Sequence, residues 1–233
     1  MKAISSMATR HVLADLTAAA AAERLARVDV ESVGGVDAAE RVAAGEAFDL
    51  VFLASDALSR LAAERHVDAA TVTPLVLSQV AIAVPSGSSE KATRTDGPAF
   101  ADAAGVRDAL RNATRVGYST GPSGTALVKM IADWGMSSEL GDRLVQARPG
   151  IPVARSLADG EVDLGFQQLS ELVGQAGVRI LGVMPDDCAI DTVFSGGVAT
   201  ASADQARARK VLSFVASAAV APIKTQHSFG VPA

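Results

Sequence analysis

The residues best placed to do chemistry lie in the stretch Val116-Gly-Tyr-Ser-Thr-Gly-Pro-Ser-Gly-Thr-Ala-Leu127. Gly117-x-Ser119-x-Gly121 has the pattern of a nucleophile elbow, which sets a serine on a tight strand-to-helix turn. A hydrolase built on it also needs a later acid and then a histidine. The only histidine downstream is His227, in a short C-terminal stretch, and no HGGG-type oxyanion segment lies upstream. Serine hydrolysis through Ser119 is therefore the third-ranked reading. The same stretch is not a P-loop, because Gly124 is followed by Thr125 and not by Lys-Ser/Thr. What remains is a helix start rich in hydroxyls and glycines. Free N–H groups and the positive end of the helix dipole favour an anion there. Ser119, Thr120 and Ser123 are its candidate ligand contacts.

The elements around these residues alternate short apolar strands with helical patterns. Strands are expected at 2–6, 28–31, 48–55 and 78–85, the third a continuous apolar run of the kind buried on both faces of a parallel sheet. Helices are expected at 8–25, 34–45 and 55–64, the last with Ser55 as N-cap. Residues 86–100 are polar and contain Gly and Pro, and read as a loop or lobe boundary. A second series follows, with strands at 114–119, 143–147, 162–167, 178–184 and 191–200 and helices at 122–135, 151–160, 168–175 and 202–226. This is an α/β chain in two blocks of similar size. Ligands of such sheets gather at the carboxyl ends of the strands.

Four further strand-to-helix turns repeat the opening design. They contain Ser5, Ser6 and Met7; Ser32, Gly34 and Gly35; Gly150 and Ile151; and Gln167 and Gln168. Each alone is ordinary capping. Five together favour one shared ligand. Gln167 and Gln168 both donate and accept, but only one of two adjacent strand-end side chains can face a cleft. Arg10, His11 and Arg148 are the nearest cations.

Composition limits the partners. A net charge of −5 with no Lys/Arg run argues against nucleic acid, so an anion must be held by local dipoles. No apolar run approaches the roughly 20 residues that span a bilayer, which excludes membrane insertion. The three histidines (His11, His66, His227) and the single Cys188 have no metal-ligand spacing, so neither a metal nor a cofactor is expected. The first 16 residues carry no signal-peptide pattern. A cytoplasmic location follows, or a periplasmic one for a trimmed mature form, and a membrane transporter is a partner only if the chain is exported.

Taken together, residues 5–16, 31–58, 78–87, 117–127, 148–172 and 208–232 resemble type 2 periplasmic-binding-protein folds, nearest the molybdate-binding-like (ModA-like) branch. The resemblance runs nearly end to end. It implies two Rossmann-like lobes joined by two crossover strands, with lobe one at 1–84 plus 188–233, lobe two at 85–187 and the ligand in the cleft between them. It places the family's ligand positions on the five turns above. Molybdate binders of the family carry a Tyr where this chain has Gln167-Gln168, and they are exported. The same group includes proteins that resemble aconitate isomerase. The resemblance thus implies a small oxyanion as ligand, a di- or tricarboxylate ahead of molybdate, with isomerisation of an unsaturated carboxylate as a further step. That 1,3-proton shift needs an acid–base group. His11, Glu31 or a water held by the hydroxyls could supply it. His11 ranks first because it lies one turn beyond Ser5-Ser6.

Overall fold

An uninterrupted apolar strand must be covered on both faces, and the stretch Leu50–Ala54 (LVFLA) is one. In the computed structural model it forms β3, and Leu50, Val51, Phe52 and Leu53 are fully buried. The structure describes residues 1–89, 97–148 and 151–232. It divides into two units, Met1–Ser78 with Thr192–Ala233, and Gln79–Asp191.

The first unit runs β1 (Lys2–Ser6), α1 (Arg10–Ala22), β2 (Asp29–Val33), α2 (Gly35–Ala43), β3 and α3 (Ser55–Ala63). It takes in the start of β4 (Thr73–Pro85), then returns from β9 (Asp191–Val198) into α9 (Gln205–Ala216) and α10 (Ala221–Gln226). β1 lies between β2 and β3, parallel to both, and β9 is antiparallel to β3. Side chains alternate across the sheet. Ala3, Leu50 and Phe52 pack with Val12, Leu13 and Leu16 of α1 and Val211 and Val215 of α9. Ile4, Val51 and Leu53 pack on the other face with Ala38 and Val42 of α2 and Leu58 and Leu61 of α3. The strand ends of β1, β2 and β3 are thus held side by side, each leading into a helix.

The second unit begins with the rest of β4. It continues through α4 (Ala103–Asn112), β5 (Val116–Tyr118), α5 (Pro122–Asp133), α6 (Ser137–Leu140), β6 (Leu144–Gln146), α7 (Val153–Ala158), β7 (Leu164–Gln168), α8 (Leu169–Leu172) and β8 (Val178–Val183). β5 pairs with β6 and β7 in parallel, while β4 is antiparallel to β7 and β8. Gly117 and Gly165 sit opposite each other in register. A Cβ on Gly165 would come within 2.8 Å of Val153 and Leu157, so the paired glycines let α7 lie close on the sheet.

The structure corrects several expectations. Ser55 does not cap α3; its Oγ donates to the Val193 carbonyl (2.9 Å) and meets Ser195 Oγ at 2.7 Å. The single C-terminal helix is two. α9 stops before Ser217, which is extended, and Pro222 stands in the first turn of α10. β4 starts at Thr73, five residues earlier than expected. α4 was not foreseen: Asp102 caps it through the Gly105 N–H (3.0 Å), and only Val106 and Leu110 of its ten residues are buried apolar. Part of the polar segment 86–100 falls on residues 90–96, outside the described residues. No helix among the described residues is long and apolar enough to cross a membrane.

Candidate functional site

In the first unit the hydroxyls stand where the parallel register puts them. Ser5 pairs with Ser32 across β1 and β2, and their Oγ atoms lie 2.7 Å apart. Ser6 points to the opposite face, beside the start of α2; a Cβ on Gly35 would lie 3.7 Å from its own Cβ. The Ser6 side chain is buried and its Oγ has no hydrogen-bond partner. Its carbonyl accepts from Thr9 Oγ1 at 3.2 Å. Gly34 and Gly35 are exposed, and α2 opens from Gly34 with no side-chain cap. Its first amides are therefore open to a ligand. Met7 is 48% exposed at the adjoining turn. The Ser55–Ser195 hydroxyl pair completes this edge. Sequence reasoning missed it as a site feature, because Ser195 lies 140 residues away on β9.

The second unit repeats the arrangement. Ser119 follows β5, and its Oγ lies 3.0 Å from Ser123 Oγ in the first turn of α5. α5 also opens without a side-chain cap, from Gly121 with Pro122 behind it. Thr120 is exposed. Gly124 is required here, because a Cβ would fall onto the Ser119 carbonyl oxygen. Ser119 therefore has another hydroxyl as partner and no base. The histidines are engaged elsewhere: His11 with Arg10, His227 with Asp15, and His66 4.0 Å from Glu64. Among the described residues no base stands on Ser119, so the elbow pattern does not form an activated nucleophile.

Gln167 and Gln168 end β7, both buried. Gln167 Oε1 accepts the Ala154 N–H of α7 at 3.3 Å, and its Nε2 donates in a short hydrogen bond to Glu171 Oε2. The Gln167 carbonyl is thus spent on holding α7, leaving one Nε2–H for a ligand. Ile151 is exposed, its N–H bonded to the Arg148 carbonyl at 2.9 Å. Gly150 lies outside the described residues.

Neither named acid–base candidate is well set. His11 is exposed on α1, and its Nε2 accepts from Arg10 at 2.9 Å. Glu31 is exposed and bonded through both oxygens to Arg41, at 2.7 and 3.0 Å; that guanidinium holds its carboxyl below the usual range. Glu171, which sequence reasoning passed over, is the opposite case. Burial pushes its carboxyl up, only partly reversed by the Gln167 amide. The signal was available in principle: a carboxylate four residues after a strand-end amide, one turn into a helix.

An aconitate isomerase from Pseudomonas sp is 30% identical over 177 residues, spanning 76% of this chain and 65% of the relative. The periplasmic molybdate-binding protein of Azotobacter vinelandii superposes with a TM-score of 0.75 at 16% identity, covering all of both chains. The sulfate-binding protein SubI of Mycobacterium tuberculosis superposes with 0.71 at 17% identity, over 98% of this chain and 85% of that one. These likenesses establish the type 2 periplasmic-binding-protein fold. The family model described as bacterial extracellular solute-binding protein matches residues 1–230. With its strand-end hydroxyls, its uncapped helix starts and this match over nearly its whole length, the chain belongs to the bacterial extracellular solute-binding protein family.

Proposed function

We propose that the chain binds a small oxyanion, a di- or tricarboxylate, with strand-end hydroxyls and helix-start amides as donors. The observation that carries this reading is Ser6. A buried hydroxyl without a partner costs roughly 1–3 kcal/mol, and this one stands beside the open first turn of α2. A ligand oxygen would satisfy both. Ser5, Ser32, Gly34 and Gly35 are its companions in the first unit, and the second unit has a donor set of the same kind in Ser119, Ser123 and the Gln167 amide. Neutral donors of this kind fix an anion by direction and distance, and suit an acidic chain with no cationic run.

The carboxylate choice rests on the likeness to an aconitate isomerase. Isomerisation of an unsaturated tricarboxylate belongs to the same proposal. It would need the strand-end donors to stabilise enolate-like charge while a proton moves between two carbons. Thermal-shift screening of citrate, tricarballylate, cis- and trans-aconitate, sulfate and molybdate tests the binding. Ligand at a hundredfold its Kd adds about 2.7 kcal/mol, roughly 5–10 °C for a chain of this size. A shift with molybdate and none with carboxylates would reverse the ligand choice. A proton NMR time course in D2O with cis- and trans-aconitate tests the chemistry. Interconversion or deuterium uptake marks an enzyme, and unchanged spectra a binder.

A further inference from the structure

We propose that Glu171 is the proton-carrying group of this site: oriented by Gln167, it binds a proton together with the anion and donates it as a hydrogen bond to a ligand oxygen. The proposal rests on the anion-binding reading above. Three observations carry it. Glu171 is placed by the site's own elements. Gln167 and Ser119 each stand one residue beyond the register pair Tyr118↔Phe166, so the Gln167–Glu171 pair lies level with the start of α5. Its orientation is fixed, because Gln167 is itself held by the Ala154 N–H and cannot turn its amide without losing that bond. Among the described residues it also has no cation partner.

The charged groups on the elements around it are turned to other partners. Arg155 of α7 pairs with Asp159, Glu161 accepts from Ser156 of α7, and Arg179 of β8 donates to the Ser88 carbonyl. Burial and the Gln167 amide are the influences on its ionisation. A desolvated carboxylate without a counter-ion is costly, and is usually relieved by protonation. An arriving anion strengthens that preference by like-charge repulsion. As a neutral acid the group turns from a repulsive acceptor into a donor. The proton comes from solvent and returns there on release, so binding and proton uptake are one linked equilibrium. In sign, affinity is greatest below the free-protein pKa of Glu171 and falls as pH rises above it.

The test is isothermal titration of the full chain with tricarballylate, an unreactive tricarboxylate. It is run at pH 7, 7.5 and 8, above the ligand's own carboxyl range, in HEPES and Tris. Wild type should take up a proton from buffer, so that the apparent enthalpy differs between buffers, and Kd should rise up to tenfold per pH unit. Glu171→Gln keeps a neutral donor of the same shape and needs no proton, so at pH 7 it should bind at least as tightly as wild type, with the advantage growing as pH rises. Its buffer dependence and pH slope should vanish, with its melting temperature confirming the fold. Tight binding by wild type without proton uptake, or uptake that persists in Glu171→Gln, overturns the role of Glu171 and leaves the anion site standing. No heat with tricarballylate, and none with citrate, molybdate or sulfate, overturns the anion-binding reading and this inference together.

Discussion

At the residue scale the account turns on whether the hydroxyls serve the fold or a ligand. Ser6 separates the two. Its Oγ has no partner in the structure, so Ser6→Ala removes no native hydrogen bond. The variant should be more stable than wild type, by up to about 1–3 kcal/mol, because it removes a buried polar group that has no partner. Anion affinity should fall about tenfold, the worth of one hydrogen bond to a charged group. Urea unfolding beside calorimetric titration reads both, and equal affinity in the variant counts against a contact at Ser6. Gly124→Ala is the reverse case. Its Cβ would strike the Ser119 carbonyl, forcing the α5 start to move. A loss of about 1–3 kcal/mol is expected with weakened binding, and an unperturbed melting curve would refute the close approach. These residues were legible in the sequence as types: hydroxyls and glycines at strand ends. Their partners were not. The Ser55–Ser195 bond joins positions 140 apart, and Glu171 acquires its character from burial, which no local pattern carries.

At the element scale, parallel strands entering helices place the donors. The strand pattern was readable because β3 is apolar throughout and β7 is buried at every position. It failed where local chemistry is ambiguous. β4 begins at Thr73, ahead of the apolar run from 78 to 85, and passes through Pro74, which the start of a strand tolerates. α4 shows two buried apolar residues in ten, too few for a helical period to stand out. One element-level device is pH-sensitive. Asp163 accepts the N–H groups of Thr114 (2.8 Å) and Arg115 (2.7 Å), tying the start of β5 to β7. Burial pushes its carboxyl up, but those N–H bonds outweigh it and leave it below the usual carboxylate range. A folded-state value below the unfolded one stabilises fully above about pH 5, and the contribution fades as pH falls below about 4. Asp163→Asn should cost about 1 kcal/mol at pH 7, a modest figure because the group is exposed, and the difference from wild type should shrink at pH 3. Urea midpoints at the two pH values check this; a difference that grows on acidification contradicts it.

At the scale of the whole molecule, the two units each present the same kind of donor set at strand ends, built from different sequence. In the first the register of β1 on β2 pairs Ser5 with Ser32, and in the second the turn from β5 into α5 pairs Ser119 with Ser123. The fold family could be recognised in the sequence because the strand-to-helix turns that carry the resemblance are local patterns. The claim that these strand-end donor sets take up an anion is a claim about binding, and it is read most directly by NMR. In 15N-labelled chain titrated with tricarballylate, the amides of Gly34 and Gly35, beside the unpartnered Ser6 hydroxyl, and those of Gly121 and Ser123 should each shift along a saturable isotherm. Shifts that do not saturate, or no shift at either set, would contradict the account.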